Sequence, residues 1–397
     1  MTGRAIAPRV PAGVKRERFL VFGAPNIGEA EIHEVIDSLR SGWIGTGPKV
    51  ARFEEQFRCY VGARHAVAVN SCTAALHLAL VVSGIGPGDE VITTSLTFAA
   101  TANAIIHSGA TPVLVDCDVA TGLIDPERVA AAVTPRTRAI MPVHLHGRPC
   151  DMDALLAVAG RHGLLVIEDA AHAVETAYHG RKVGTIGHLT CFSFYVTKNI
   201  TTGEGGMVTT EDPALARQLK TYALHGMTSD AWKRFSASGY RHYDVAYPGF
   251  KYNMTDVQAA IGQHQLAKVD GWLARREAIW RRYGEAFGDL PLGLPAPDEP
   301  DIVHARHLYA IRVDAARVGC ARDEFMQRLH DLGIGTGVHY RPVHGHSYYR
   351  ERFGYRDEDF PAATRFGDET LSLPLSSGLA DADVADVIRA VRHACGV

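Results

Sequence analysis

Residues 164–207 read LLVIEDAAHAVETAYHGRKVGTIGHLTCFSFYVTKNITTGEGGM. Two short apolar runs, LLVIED (164–169) and CFSF (191–194), stand in it between polar, glycine-containing segments, and MVTT (207–210) closes it. Runs of this length bounded by turn residues read as strands buried on both faces. Toward the N-terminus the same texture recurs at AVAV (66–69), EVITT (90–94), TPVLVD (111–116) and AIMPV (139–143). Between these runs, Ala74–Val82 is apolar all round, which predicts a buried helix, and Asp151–His162 is amphipathic. Strands alternating with helices predict an α/β fold with a mainly parallel seven-stranded sheet between helices.

Past the sheet the texture changes. SDAWKRFSASGYRHYDVAYPGFKYN (229–253) reads as a long loop, and loops of that length are usually functional. Thr255–Phe287 carries one long helical pattern, which the Pro/Gly-rich DLPLGLPAPDEPD (289–301) ends. Strands near 307–313 and 334–340, with helices near 322–332 and 381–395, predict a smaller C-terminal α+β domain. A chain of 397 residues exceeds what one core supports, so the expected layout is a flexible tail over 1–20, a large domain over 21–270 and a small one over 271–397.

Composition narrows the functional classes. Hydrophobic residues are 46% and charged residues 21%, an ordinary globular balance. With 44 acidic against 41 basic residues the net charge is −3, which offers no electrostatic grip on nucleic acid or an anionic membrane. Small molecules are the expected partners. The seven cysteines are scattered without a C-x-x-C pair and read as reduced, cytoplasmic thiols. The basic opening segment lacks the apolar stretch of a secretory signal, and no run is long enough to span a membrane.

In open α/β sheets ligands sit beyond the carboxyl ends of the strands, so the residues after each apolar run come first. LLVIED ends in Asp169, with His172 about one turn on; the carboxylate either caps the next helix or faces a pocket. After CFSF comes the single lysine Lys198, either a surface lysine or a buried amine. Together, a strand-end Asp and a strand-end Lys are what pyridoxal 5′-phosphate (PLP) chemistry needs: an amine for a Schiff base and a carboxylate to keep the pyridine nitrogen protonated. In NSCTAALHLAL (70–80), Asn70 to Thr73 lead into the buried helix, either as plain caps or as a phosphate site at the helix N-terminus. Ser193 is a further candidate phosphate ligand, and Phe98 either stacks on a pyridine ring or belongs to the core. His144 and His146, read as alternating along one strand face, and His344 and His346 lack a third ligand, so no metal site is expected.

The runs NSCTAALHLAL, GDEVITTSLTFAATANAI, VIEDAAHA, FSFYVTKNITTGEGGMV and PGFKYNMTDVQAAIGQHQL resemble, in order and spacing, the DegT/StrS family of nucleotide-sugar aminotransferases. The resemblance runs from about residue 20 to 395 and implies a fold-type I PLP enzyme. It implies that Lys198 holds PLP as a Schiff base, Asp169 contacts the ring nitrogen, Phe98 covers the ring and His172 lies near the phenolic oxygen. It implies a phosphate held by Cys72, Thr73 and Ser193, with Asn253 reaching across from a second subunit of a homodimer. Trp43, Thr46 and Gly47 in SGWIGTGP, and His339 and Tyr340 in HYRPVH, correspond to segments beside the substrate. PGFKYNMTD, VHARHLYAIRVD and GIGTGVHYRPVHGHSYYRERF are most similar to the branch that makes UDP-4-amino-4-deoxy-L-arabinose, with dTDP-4-keto-6-deoxy sugars as related substrates. Two departures stand out: Phe98 where that branch carries Trp, and Cys72 where Gly or Ala is usual.

The expectation that follows is amino transfer from glutamate to the 4-keto carbon of a UDP- or dTDP-linked sugar. Amination of a cyclitol ketone or a 3-keto nucleotide sugar is the enzymatic alternative, and a PLP-binding regulator without turnover the non-enzymatic one. Retention of both Lys198 and Asp169 argues against the regulator, because a scaffold needs no electron sink. Lysine at 198 also argues against the similar 3-dehydratases, which carry His there.

Overall fold

The computed structural model describes residues 15–227 and 244–397. The expected tail lies outside these residues up to position 14, and the long loop of 229–253 lies outside them up to 243. Twelve strands occur among the described residues: β1 (His65–Val69), β2 (Glu90–Thr94), β3 (Thr111–Val115), β4 (Thr137–Met141), β5 (Leu165–Asp169), β6 (Ala177–Tyr178), β7 (Arg181–Lys182), β8 (Leu189–Ser193), β9 (Gly206–Thr210), β10 (Ile302–Val303), β11 (Tyr309–Arg312) and β12 (Thr370–Leu373). Seven form one sheet in the order β1-β9-β8-β5-β4-β2-β3. β9 is antiparallel to both neighbours, and the remaining pairs are parallel.

The alternation of side chains across this sheet divides the core. Ala66, Ala68 and Val166 pack into one apolar cluster, while Val67, Val69 and Ile167 pack into a second on the other face. Covered on both faces, β2, β8 and β9 are buried throughout, which is why they read as unbroken apolar runs. The helix Cys72–Val82 lies inside the second cluster and is buried from Ala74 to Leu80. A third cluster gathers Ile279, Tyr283 and Phe287 with Tyr309, Phe325, Leu371 and Val387.

Two elements differ from the sequence reading. The pattern over Thr255–Phe287 is two helices, Asp256–Leu266 and Val269–Phe287. At their joint, the Gln265 amide and the Lys268 ammonium both hold Glu31 Oε1, at 2.8 and 2.6 Å, so the turn is pinned to the helix Glu29–Ser41. The strand expected over 334–340 is reduced to isolated bridges, Ile334 to Leu20 and Gly337 to Ser372. Here a Cβ on Gly335 would sit 2.7 Å from Leu20 O and 2.9 Å from Phe22 N, so the segment yields side chains to let residues 20–22 pass. β11 instead pairs with β12, which is too short to stand out in the sequence.

Candidate functional site

The carboxyl ends of β2, β5 and β8 open into one cavity of about 540 Å³. Asp169, the last residue of β5, lies buried on its floor. Burial raises its pKa; against that, Thr101 Oγ1 donates to Oδ2 at 2.8 Å and the Ala171 N–H to Oδ1 at 3.1 Å. Lys198 follows β8 in a turn closed by its own N–H to Tyr195 O at 2.9 Å. Its side chain keeps some surface toward the cavity but is otherwise surrounded by protein, and this burial lowers the amine to about 8. An amine so poised is partly unprotonated near neutrality.

A polar cradle lies beside this pair. Ser71 caps the helix Cys72–Val82 by accepting from the Ala74 N–H at 3.1 Å, which leaves the first-turn amides of Cys72 and Thr73 without intrahelical partners. Both residues line the cavity, and so does Ser193, whose Oγ accepts from the Tyr195 N–H at 3.3 Å and keeps its own proton to donate. The chain passes this point only because residue 206 is glycine: a Cβ there would meet Ser71 C at 2.6 Å and Cys72 N at 2.8 Å.

The opposite wall is aromatic and imidazole. His172 Nδ1 accepts the His146 N–H at 3.2 Å, so its proton sits on Nε2, 3.0 Å from the Tyr340 hydroxyl. Burial, with Lys198 nearby, holds His172 well below its ordinary pKa, and burial takes His339 down to about 3. Phe98, 59% exposed, stands with its ring 5.6 Å from that of Tyr340. His144 and His146 do not alternate on a strand: β4 ends at Met141 and both lie in the turn after it, where His146 takes a φ of +58°. His144 is buried against Glu168 at 2.9 Å. His344 is also buried, between Ser95 and Thr364. No three metal-ligating side chains come together among the described residues.

Trp43, Thr46 and Asn253 lie outside the lining of the cavity. Asn253 bridges to Val69 at the end of β1, its Nδ2 donates to Thr46 Oγ1 at 2.6 Å and Thr46 donates to Met254 O at 2.5 Å, while Trp43 stands near Gly47. Asn253 Oδ1 is buried with no hydrogen-bond partner among the described residues, and Trp43 is 56% exposed. Sequence reasoning missed Thr101, His307 and Tyr195. Thr101 sits in a helix, His307 just ahead of β11, and nothing local marks either as facing Asp169 or Lys198.

A strand-end carboxylate and a buried amine facing one cavity, with an anion cradle beside them, place this chain among PLP-dependent aminotransferases. It belongs to the DegT/DnrJ/EryC1/StrS aminotransferase family, whose model matches residues 25–392. It is 55% identical over 380 residues to the spore coat polysaccharide biosynthesis protein SpsC of Bacillus subtilis (strain 168), covering 95% of this chain and 97% of that protein. Among solved structures it is similar to the PLP form of the putative sugar aminotransferase Spr1654 from Streptococcus pneumoniae, at 34% identity and a TM-score of 0.88, covering 95% of this chain and 99% of that one. It is also similar to DesV of S. venezuelae, at 38% identity and a TM-score of 0.84, covering 92% and 94%. The chain is thus a sugar aminotransferase that uses PLP. No helix among its described residues is long and apolar enough to cross a membrane.

Proposed function

We propose that the enzyme transfers an amino group from glutamate to the 4-keto carbon of a dTDP- or UDP-linked sugar, giving a 4-amino-4-deoxy sugar nucleotide, and that it works as a cytoplasmic homodimer with shared sites. The observation that carries the substrate class is the cavity wall. Beside Lys198 stand neutral imidazoles and the Tyr340 hydroxyl, and no arginine is among the described residues that line the cavity. Such a wall, rich in groups that exchange hydrogen bonds with hydroxyls, suits the hydroxyl-bearing carbon frame of a sugar. The name of the B. subtilis relative, a polysaccharide biosynthesis protein, supports the same reading.

The donor set fits the cofactor. The Cys72 and Thr73 amides and the Ser193 hydroxyl would take the phosphate, with Asn253 contributed by a second copy; Asp169 would stand against the ring nitrogen, and Phe98 and His172 beside the ring. Bound PLP supplies the electron sink that the reaction needs. Asp169 keeps the ring nitrogen charged. Lys198, lowered to about 8, accepts a proton from the donor's Cα and later delivers one to the sugar carbon that receives nitrogen. His172 donates to the Tyr340 oxygen and so frees that hydroxyl's own proton to turn toward substrate. His339 lines the cavity, and in the dimer Trp43 and Thr46, outside this chain's cavity lining, would frame the second copy's entrance.

The test offers the amino-form enzyme a panel of UDP- and dTDP-4-keto sugars, a 3-keto nucleotide sugar and a cyclitol ketone, and follows the cofactor's return to its aldehyde form. Return with a 4-keto nucleotide sugar is expected. Return with only the cyclitol or only the 3-keto sugar would overturn the reading.

A further inference from the structure

A buried polar chain next to Lys198 is not used in the reaction as described above. Arg276, on the helix Val269–Phe287, is ion-paired with Glu175, and both side chains are essentially without exposed surface, at 3% and 0%. Glu175 Oε2 also accepts from Asn199 Nδ2 at 2.7 Å, and the same amide nitrogen donates to Ala305 O at 3.0 Å. Both of those partners are acceptors, so the orientation of the Asn199 amide is forced. Its Oδ1 therefore faces His307 Nδ1, 2.8 Å away, and can only accept there. His307 must carry its proton on Nδ1, which leaves Nε2 as a lone pair.

The ring is held in place from other sides as well. The His307 N–H donates to His146 O at 3.0 Å, and the ring lies 4.3 Å from that of His172. Close approach of the two segments requires Gly147, where a Cβ would meet Ala305 Cβ and His172 O, each at 2.9 Å. His307 lines the cavity, and the contact of Nδ1 with Asn199 is the one hydrogen bond its ring makes among the described residues, so Nε2 is open to the cavity. Burial and Lys198 hold the imidazole well below its ordinary pKa, so the ring stays neutral.

We propose that His307 is a specificity-determining residue for the sugar half of the reaction, its Nε2 accepting a hydrogen bond from a substrate hydroxyl, and that Arg276, Glu175 and Asn199 are positioning residues that fix its tautomer. This rests on the reading of the amine acceptor as a nucleotide-linked keto sugar. The argument for the sugar over the amino donor is chemical. Carboxylates offer only acceptor oxygens, which a lone pair repels, whereas a sugar carries hydroxyl donors. Asn199 follows Lys198 directly, so the amide that orders the ring also anchors the turn carrying the amine.

The two half-reactions of the holoenzyme separate these roles. His307→Phe should lower kcat/KM for the keto sugar roughly tenfold, the worth of a lost buried hydrogen bond, and change the donor half-reaction less than about twofold. His307→Gln, whose amide oxygen has a similar reach, should recover most of the loss. Equal losses in both half-reactions, or a Gln variant no better than Phe, would overturn the proposal. A second readout needs no turnover: ¹⁵N shifts of cofactor-free protein, with His307 assigned by difference against His307→Gln, should show protonated Nδ1 and bare Nε2, and Asn199→Ala should mix the tautomers. A proton on Nε2 in the wild-type protein would overturn it. Should no 4-keto nucleotide sugar be aminated, the substrate reading fails, while the nitrogen shifts still decide the tautomer.

Discussion

The cavity around Lys198 and the cluster around Asn253 are built differently within one chain. On the cavity floor and wall Asp169 accepts from Thr101 and Ala171, and both nitrogens of His172 are engaged. Around Asn253, by contrast, Oδ1 is buried and unmatched among the described residues, and Trp43 and Ile44 lie exposed near the helix Glu29–Ser41, whose Ile32 and Leu39 are exposed too. A buried polar atom without a partner costs about 1–3 kcal/mol. Asp169, Lys198 and His172 are brought together by one chain, whereas the patch around Asn253 has the character of a surface that something covers. In the homodimer proposed here that cover is a second copy, to whose cofactor Asn253 contributes.

Removing the groups on the cavity floor should have the largest effect. Lys198→Ala is expected to abolish turnover and the visible absorption of the lysine-bound cofactor while the circular dichroism of the fold persists; an unchanged spectrum would remove Lys198 from its role. Asp169→Asn should keep cofactor bound and lose on the order of 10³ in rate, since a preorganised charge is replaced by a dipole. Near-normal turnover would take Asp169 out of the mechanism.

The outlying half is tested by sharing. Co-refolding Lys198→Ala chains with Asn253→Ala chains, at PLP too low to rescue the latter alone, should restore up to roughly a quarter of wild-type turnover, because a two-fold dimer puts both defects in one site and leaves the other intact. Activity that never exceeds the separate variants, with mixed dimers confirmed, would mean each site is self-contained.

A pH measurement sharpens the contrast more finely. Lys198 has its pKa lowered to about 8 in the folded, cofactor-free protein, so between there and its ordinary value near 10.5 the unfolded chain binds the extra proton. Stability from this group therefore rises with pH across that window. The Tm difference between wild type and Lys198→Met should shift in favour of wild type from pH 8 to 10.5, and a flat difference would show that the amine is not depressed. Thr101→Val should have the smallest effect. Loss of its hydrogen bond to Asp169 is worth about 1 kcal/mol, and turnover should fall a few-fold.

The order of apolar runs was enough to read the seven-stranded sheet, the buried helix after Ser71 and the pairing of Asp169 with Lys198, because strand periodicity and strand-end chemistry are local properties of the chain. Thr101, His307 and the Arg276–Glu175–Asn199 chain were not legible. Their meaning lies in contacts between segments far apart in sequence, and locally each is an ordinary polar residue. The joint at Lys268 was hidden for a related reason: an unbroken helical pattern carries no sign of a distant carboxylate, Glu31, that stops it. By itself, then, the sequence determined the fold class and the family, and it singled out Asp169 and Lys198, which the structure brings to one cavity. Only the tertiary structure decided which histidine nitrogens bear protons, which polar atoms go unmatched, and that Trp43, Thr46 and Asn253 fall outside the lining of the cavity, since hydrogen-bond satisfaction depends on three-dimensional neighbours that no one-dimensional pattern records.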